Sequence, residues 1–273
     1  MANNYRKLLR AKLAKNDEFY TRYEDVKSEC DHYWPHFFNK RIYCNCDTAD
    51  SAFVKYFTEL KIQGVIRDVW FSGGLGGADF RSSQSVELLK QADLIITNPP
   101  FSLFRDFMDV LIQHKKQFLV IGNKNAIAQR KLFDLIKTDQ VWPGVRKWAG
   151  GMHFYVPNST NTKDVPAIWL TNLSHEHRAR PLVLSAKYNP TCYQKFDNAD
   201  AINVNRTADI PSDYDGVMGV PISFIEKYNP AQFEILGLDK DFTDDCSSCS
   251  IAGKNVYTRV FIRKRLAQVY NNV

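Results

Sequence analysis

At 273 residues with 44% hydrophobic residues, the chain is long enough to bury one sizeable core with a smaller lobe attached. A charged share of 24% excludes wholesale disorder, and no apolar run approaches the roughly 18–20 residues that span a bilayer. The net charge of +6 fits a polyanionic partner, although many proteins without one share it. Residues 1–15 (MANNYRKLLRAKLAK) carry five basic side chains and no acid, which suits a nucleic-acid arm, a transit peptide, a membrane-surface helix or a plain solvated helix. Residues 41–46 read as a strand, 49–61 as an amphipathic helix and 65–71 as a second strand. A glycine-rich turn follows (Gly73, Gly74, Gly76, Gly77), then a short helix over 85–91 and a buried strand over 93–97. A helix over 101–114, a buried strand over 117–121 and a helix over 125–137 continue the alternation, and 152–156 and 167–172 again look like strands.

Short apolar runs separated by helices predict an α/β fold, a mostly parallel sheet with helices on both faces. In such sheets ligands bind outside the carboxyl ends of the strands, so motifs at strand ends matter most. Beyond about residue 178 the pattern turns loop-rich, with Pro181, Pro190, Pro211, Pro221 and Pro230, and a boundary is placed there.

The six cysteines (Cys30, Cys44, Cys46, Cys192, Cys246, Cys249) follow no secretory signal and are read as reduced thiols of a cytoplasmic protein. Cys246-Ser-Ser-Cys249 has the spacing of half a zinc site but lacks a second ligand pair, and His175-Glu176-His177 reads as a hydrophilic turn, so no metal is expected. The glycine run fits neither G-x-G-x-x-G nor a P-loop, because no Lys-Ser/Thr follows it.

Asn98-Pro99-Pro100-Phe101 directly follows the strand over 93–97 and opens a helix. Two prolines fix φ and remove two backbone donors, so carbonyls of the turn can point outward as acceptors beside the Asn side chain. Two acceptors on the two N–H groups of an exocyclic aromatic amine stabilise the positive charge that grows as its nitrogen attacks a methyl group. Phe101 offers a flat face for an unstacked base, a contact worth roughly 1–3 kcal/mol. Without context the same string is an Asn-capped Pro-Pro helix start.

This string resembles motif IV of the amino-methyltransferases, (D/N/S)-PP-(Y/F/W), and more of the chain resembles the EcoRI-type adenine-specific DNA methyltransferases. The likeness is carried by Lys15-Asn16-Asp17-Glu18-Phe19-Tyr20-Thr21, by Tyr43-Cys44-Asn45-Cys46-Asp47 with Ser51-Ala52-Phe53-Val54-Lys55-Tyr56-Phe57, and by Asn98 to Phe101. Asp213-Tyr214-Asp215-Gly216-Val217-Met218-Gly219-Val220-Pro221 and Lys227-Tyr228-Asn229-Pro230 extend it. The resemblance implies a Rossmann-like methyltransferase fold, S-adenosylmethionine as cofactor and double-stranded DNA as substrate. With the basic start and the boundary near 178, the chain is expected to comprise the basic arm 1–15, a catalytic domain 16–178 and a loop-rich target-recognition region 179–273. The implied reaction is in-line transfer to the N6 amine of a flipped-out adenine, without a covalent enzyme intermediate and with Asn98, Pro99, Pro100 and Phe101 as the catalytic loop. A carbon-5 cytosine mechanism needs a Pro-Cys nucleophile, and no cysteine here follows a proline.

On the cofactor side the resemblance implies Tyr20 and Thr21 (motif X), Asn45 and Asp47 (motif I, here without its glycines), Asp79 and Phe80 (motif III), and Asn98. Asp47 equally suits a helix N-cap. Asp68, placed near the end of the second strand, is either a ribose ligand or a solvated acid. Candidate phosphate contacts are Lys124, Arg130, Lys131, Arg146 and Lys147, each also readable as a surface charge. A monomer is expected, with room for a restriction endonuclease that shares the recognition sequence without binding directly. Competing readings are another amine acceptor (cytosine N4, an RNA base, a protein glutamine) and an inactive DNA-binding protein on the same scaffold.

Overall fold

The computed structural model describes residues 20–72, 79–156, 161–243 and 248–265. The basic arm expected over 1–15, residues 15–19 of the first family-like stretch, the glycine run at 73–77 and Cys246 lie outside the described residues. The chain divides into two compact units, one drawn from Met1–Ile127 and Val141–His175, the other from Ala128–Gln140 and Glu176–Val273.

The first unit contains β1 (Tyr20–Thr21), α1 (Tyr23–Cys30), α2 (Trp34–Phe37), β2 (Arg41–Cys44), α3 (Ala52–Ile62), β3 (Asp68–Phe71), α4 (Ser83–Gln91), β4 (Leu94–Thr97), α5 (Phe104–Gln113), β5 (Gln117–Asn123), β6 (Trp142–Pro143), β7 (Met152–Tyr155), β8 (Thr162–Val165) and β9 (Ala167–Thr171). Six strands form one sheet in the order β3-β2-β4-β5-β9-β6. β2 pairs in parallel with both β3 and β4, and β4 with β5, whereas β9 runs antiparallel to β5 and to β6. The sheet is therefore mixed, with the antiparallel strands at one side. Alternation along the strands sends Ile42, Cys44, Leu94, Ile96, Leu119 and Ile121 into the core built with α1 and α3, where Val26, Phe53 and Phe57 are buried. Tyr43, Ile95, Phe118 and Val120 are buried on the opposite face, where the Tyr43 hydroxyl bonds Ser85 of α4. Ser51 and Ser82 cap α3 and α4 by accepting from the backbone N–H three residues on, each at 3.2 Å. A separate small sheet, β1-β7-β8, is antiparallel throughout.

The second unit is less loop-like than its prolines predict. It holds α6 (Arg130–Lys137), β10 (Ile202–Asn203), β11 (Met218–Pro221), β12 (Phe233–Leu238), the hairpin strands β13 (Ser250–Ile251) and β14 (Lys254–Asn255), and β15 (Arg259–Lys264). Four of these strands form a sheet in the order β10-β11-β15-β12. Phe261 of β15 stacks on Phe242, ring centroids 4.2 Å apart, and packs with Phe196 and Cys249. The prolines fall in the stretch before this sheet, at its strand ends or between strands, where a missing N–H costs the ladder little. Among the described residues no helix is long and apolar enough to cross a membrane.

The loop after β6 is fixed from within. Glu29 of α1 is 1% exposed and accepts from the backbone N–H of Val145 at 2.7 Å, of Arg146 at 2.8 Å and from Tyr33 Oη at 3.1 Å. Burial pushes its pKa up, and the three donors oppose that shift. Gly144 leaves the room this carboxylate needs: a Cβ there would collide with Glu29 Oε1 and lie 2.6 Å from Trp169 Cβ. Gly144→Ala is therefore expected to lower the free energy of unfolding by about 1–3 kcal/mol, measured by urea denaturation. An unchanged midpoint would mean that the loop adjusts without disturbing Glu29.

Candidate active site

Parallel strands present their carboxyl ends on one edge, and β2 and β4 mark the point where the strand order turns, because β3 is added on one side of β2 and β4 on the other. The residues leaving these two strands, Asn45 to Asp47 and Asn98 to Phe101, thus meet at the place where an open α/β sheet offers a crevice. Thr97, fully buried, joins them. Its Oγ1 accepts from Cys46 N–H at 3.1 Å and donates to Asp47 Oδ2. The Asp47 carboxylate also accepts from the backbone N–H of Asn98 and from the Ser51 hydroxyl, and burial pushes its pKa up to about 7 against these three lowering contacts.

Asn45 is 1% exposed. Its Oδ1 faces Cys46 Sγ at 3.9 Å, and its Nδ2 is buried without a hydrogen-bond partner among the described residues. A buried amide donor left unpaired costs roughly 1–3 kcal/mol, a cost that a ligand acceptor at this strand end would relieve. Thr21 Oγ1 is likewise buried and unpaired, on a residue 8% exposed.

Asn98 follows β4 as expected, with its side-chain oxygen shielded from solvent. The turn opens a 3-10 helix, Phe101–Leu103, before α5 begins at Phe104. The Pro100 carbonyl accepts from Leu103 N–H at 3.0 Å, whereas among the described residues no backbone N–H bonds the Pro99 carbonyl. Phe101 is half-buried, and Phe154 of β7, fully buried, meets its ring edge-on at 6.2 Å and 86°. Because Thr21 lies opposite Phe154 in the β1–β7 ladder, the small sheet connects Thr21 to the Phe101 side of the turn. Tyr20 points the other way and is 52% exposed, so it is not a core aromatic.

The remaining sequence-predicted residues have the following surroundings. Asp68 opens β3 instead of closing it: Val65 and Arg67 bond the backbone at Asn39 and Lys40, and the ladder starts only at Asp68. Its carboxylate pairs with Lys61 Nζ at 2.6 Å and accepts from Trp70 Nε1 at 3.0 Å, at the end of the strand remote from Asp47. Asp79 is held by Arg81 at 2.6 Å, and Arg81 also bridges to Asp106 at 3.2 Å. Phe80 is buried edge-on against Phe107. In the first unit, Lys124 lies 5.4 Å from the Trp148 ring centroid and Lys147 is exposed. Arg146 pairs with the buried Asp25, which also binds Arg22 at 2.9 Å. In the second unit, Arg130 pairs with Asp241 and with Asp134, and Lys131 is exposed on α6. Sequence reasoning missed Thr97, Ser51 and Glu29, whose partners lie tens of residues away or, for Ser51, behind an ordinary N-cap. The described residues hold no cluster of three or more metal-ligating side chains, and His175 Nε2 bonds the Pro143 carbonyl at 3.0 Å.

A sheet with polar side chains gathered at its strand ends and a Pro-Pro turn beside them describes an enzyme of the α/β class. The family described as adenine-specific methyltransferase EcoRI matches residues 7–67 and 64–266, and the chain belongs to this EcoRI family of adenine-specific methyltransferases. It is 39% identical to the Type II methyltransferase M.EcoRI of Escherichia coli, an alignment covering 97% of this chain and 99% of that protein. It is 36% identical to the Type II methyltransferase M.MgeORF184P of Mycoplasma genitalium (94% and 98% covered) and 34% identical to M.MpnI of Mycoplasma pneumoniae (94% and 97% covered). No solved structure matches the chain.

The two basic residues after β6 are expected to behave differently on removal. Arg146→Ala strips one cation from the buried Asp25 and should cost about 1–3 kcal/mol of stability. Lys147→Ala should stay within about 0.5 kcal/mol of wild type. Equal effects in chemical denaturation would contradict the assigned ion pair.

Proposed function

We propose that the chain methylates the exocyclic N6 amine of an adenine flipped out of double-stranded DNA, with S-adenosylmethionine as methyl donor. The observation that carries this reading is the Asn98-Pro99-Pro100-Phe101 turn at the carboxyl end of β4, set beside the buried, unpaired Asn45 Nδ2 at the end of β2. The strand order β3-β2-β4-β5-β9-β6, with β9 antiparallel, supports a Rossmann-like methyltransferase sheet, and the family membership supports the adenine amine as acceptor.

The residues at the strand ends fit the cofactor by their donor set. Asn45 Nδ2 and Thr21 Oγ1 are buried polar atoms that a carboxylate or hydroxyl of a ligand would complete. When bound, S-adenosylmethionine supplies a methyl group carried on a positively charged sulfur. The protein's part is orientation and charge. The Asn98 side-chain oxygen and the Pro99 carbonyl accept the two hydrogens of the amine, which draws its lone pair out of conjugation with the ring and stabilises positive charge on the nitrogen. Phe101, backed by Phe154, supplies the stacking face for the extruded base. No side chain becomes covalently attached. Asp79 and Phe80 remain candidates for the adenine end of the cofactor.

Lys124 and Lys147, and on the second unit Lys131, are the proposed phosphate contacts. Arg130 and Arg146 join them with charges already shared with acids. The second unit, with its four-stranded sheet, is the proposed reader of the recognition sequence. The enzyme is taken to act as a monomer in the cytoplasm.

Purified protein incubated with total DNA and S-adenosylmethionine, followed by base-resolved sequencing, is expected to show N6-methyladenine at one short sequence. N4-methylcytosine in its place would overturn the acceptor, and an unmodified genome the activity. Asn98→Ala is expected to keep the cofactor dissociation constant near wild type while lowering kcat by about 10²-fold or more. Phe101→Ala should chiefly weaken capture of the base, read as a reduced 2-aminopurine fluorescence increase at the target position. A full signal in that variant would remove the stacking role.

A further inference from the structure

The half-buried carboxylate at the junction of β2 and β4 has a use that the proposed reaction does not itself assign. Asp47 collects three donors from three different elements: the Thr97 hydroxyl at the end of β4, the Asn98 backbone N–H in the turn, and the hydroxyl of Ser51, the N-cap of α3. Thr97 in turn accepts from Cys46 N–H at 3.1 Å, so the end of β2 is tied to the end of β4 twice. The Asn98 N–H is the last backbone donor before two prolines, which have none. A carboxylate accepts about four hydrogen bonds, and three here are taken by the protein.

We infer that Asp47, with Thr97, is a positioning residue that clamps the Asn98 turn in its working geometry, and that it acts through Asn98 and not by holding the cofactor. The inference rests on the proposed role of Asn98. Only the ionised carboxylate can accept from all three donors without offering a hydrogen of its own. Burial pushes its pKa up to about 7, so the clamp loosens as the pH falls through neutrality. Asp47 acts on the Cys44 and Cys46 thiols, both pushed up first by burial and then by its charge, and Asp79 acts on Cys46 as well. Thr97, Ser51 and Asn98, from the other elements packed against it, are uncharged, and among the described residues no cation is among the groups that shift it.

The stability consequence has the opposite direction to the activity. The folded-state pKa lies above the ordinary carboxylate value, so the contribution of Asp47 to stability is fully present at low pH and lost as pH rises through about 7. Asp47→Asn removes that pH-dependent loss, so its stability should change less than that of wild type between pH 5 and pH 8, while it turns over more slowly at pH 8.

The test uses the full chain and two readouts. In protein labelled with ¹⁵N at asparagine, the Asn98 amide resonance is expected to titrate with a midpoint near 7 in wild type and to lose that titration in Asp47→Asn. In steady-state methylation, kcat is expected to fall on the acid side of the same midpoint, and Asp47→Asn to lower kcat at pH 8 by about 10–100-fold with the S-adenosylmethionine dissociation constant changed less than about threefold. Thr97→Ser should retain activity, and Thr97→Val should lose it in the manner of Asp47→Asn. An Asn98 amide that does not titrate, or an Asp47→Asn defect confined to the cofactor dissociation constant, overturns the clamp. A titrating Asn98 amide in a protein that methylates nothing leaves the clamp standing and sinks the proposed reaction instead.

Discussion

Strand polarity is the constraint on which the rest of the first unit depends. β2, β3, β4 and β5 all run the same way, so their carboxyl ends share one edge of the sheet. The chain builds outward from β2 in both directions, and the connections leaving β2 and β4 part company at that edge. Everything with chemical potential in the unit follows from this divergence. Asn45 is buried at the end of a central strand, and among the described residues its amide nitrogen finds no acceptor. Asn98 lies across from it because β4 is the next strand in the order. Thr97 and Asp47 bridge the two ends, converting two neighbouring loops into one rigid feature.

How far this was legible from the amino-acid sequence depended on the range of the interaction concerned. The apolar runs ending at Thr97 and starting at Phe118 could only be buried strands, because four consecutive β-favouring residues leave no polar face. The two-residue β6 and the charged β8 carry no such pattern. β8 presents Thr162, Lys163 and Asp164 to solvent and exists as a strand only because β7 supplies its ladder. In the second unit the prolines suggested loop, although Pro221 closes β11 and Gly219 of that strand makes room for Phe196, whose ring a Cβ would meet at 2.6 Å. Composition reports what a residue prefers, and here tertiary neighbours overrode the preference.

The site divides along the same line. Asn98 to Phe101 was readable because its chemistry is local: a strand end, two residues without N–H groups, an aromatic. Asp68 was misplaced because the β-favouring residues of 65–71 extend on both sides of it, while Val65 and Arg67 spend their backbone groups on the turn at 39–40 and leave the ladder to begin three residues late. Arg146 looked like one of several surface cations. Its partner, Asp25, stands 121 residues earlier, and only the fold brings a buried acid to it. Glu29 escaped notice for the same reason, since its use as an acceptor for the loop after β6 is invisible until α1 and that loop are side by side.

A half-buried carboxylate with no cation beside it among the described residues is an expensive choice, and the donors around Asp47 explain why an amide would not serve. Asparagine offers one acceptor oxygen and an N–H₂ group. At this position the amide nitrogen would face the Asn98 N–H or the Ser51 hydroxyl, a donor meeting a donor in one case and a competitor for the helix cap in the other. Serine and threonine are too short to reach three elements at once. Glutamate would add a methylene to a strand end already packed between Thr97 and α3, and overpacking of that kind displaces the backbone it was meant to hold. The prolines narrow the choice further. They leave Asn98 as the only residue of the Asn98-Pro99-Pro100 stretch with an N–H to anchor, so the placement of both proposed acceptors depends on one hydrogen bond to one carboxylate. A side chain that accepts without donating, of the length of aspartate, is the group this junction requires.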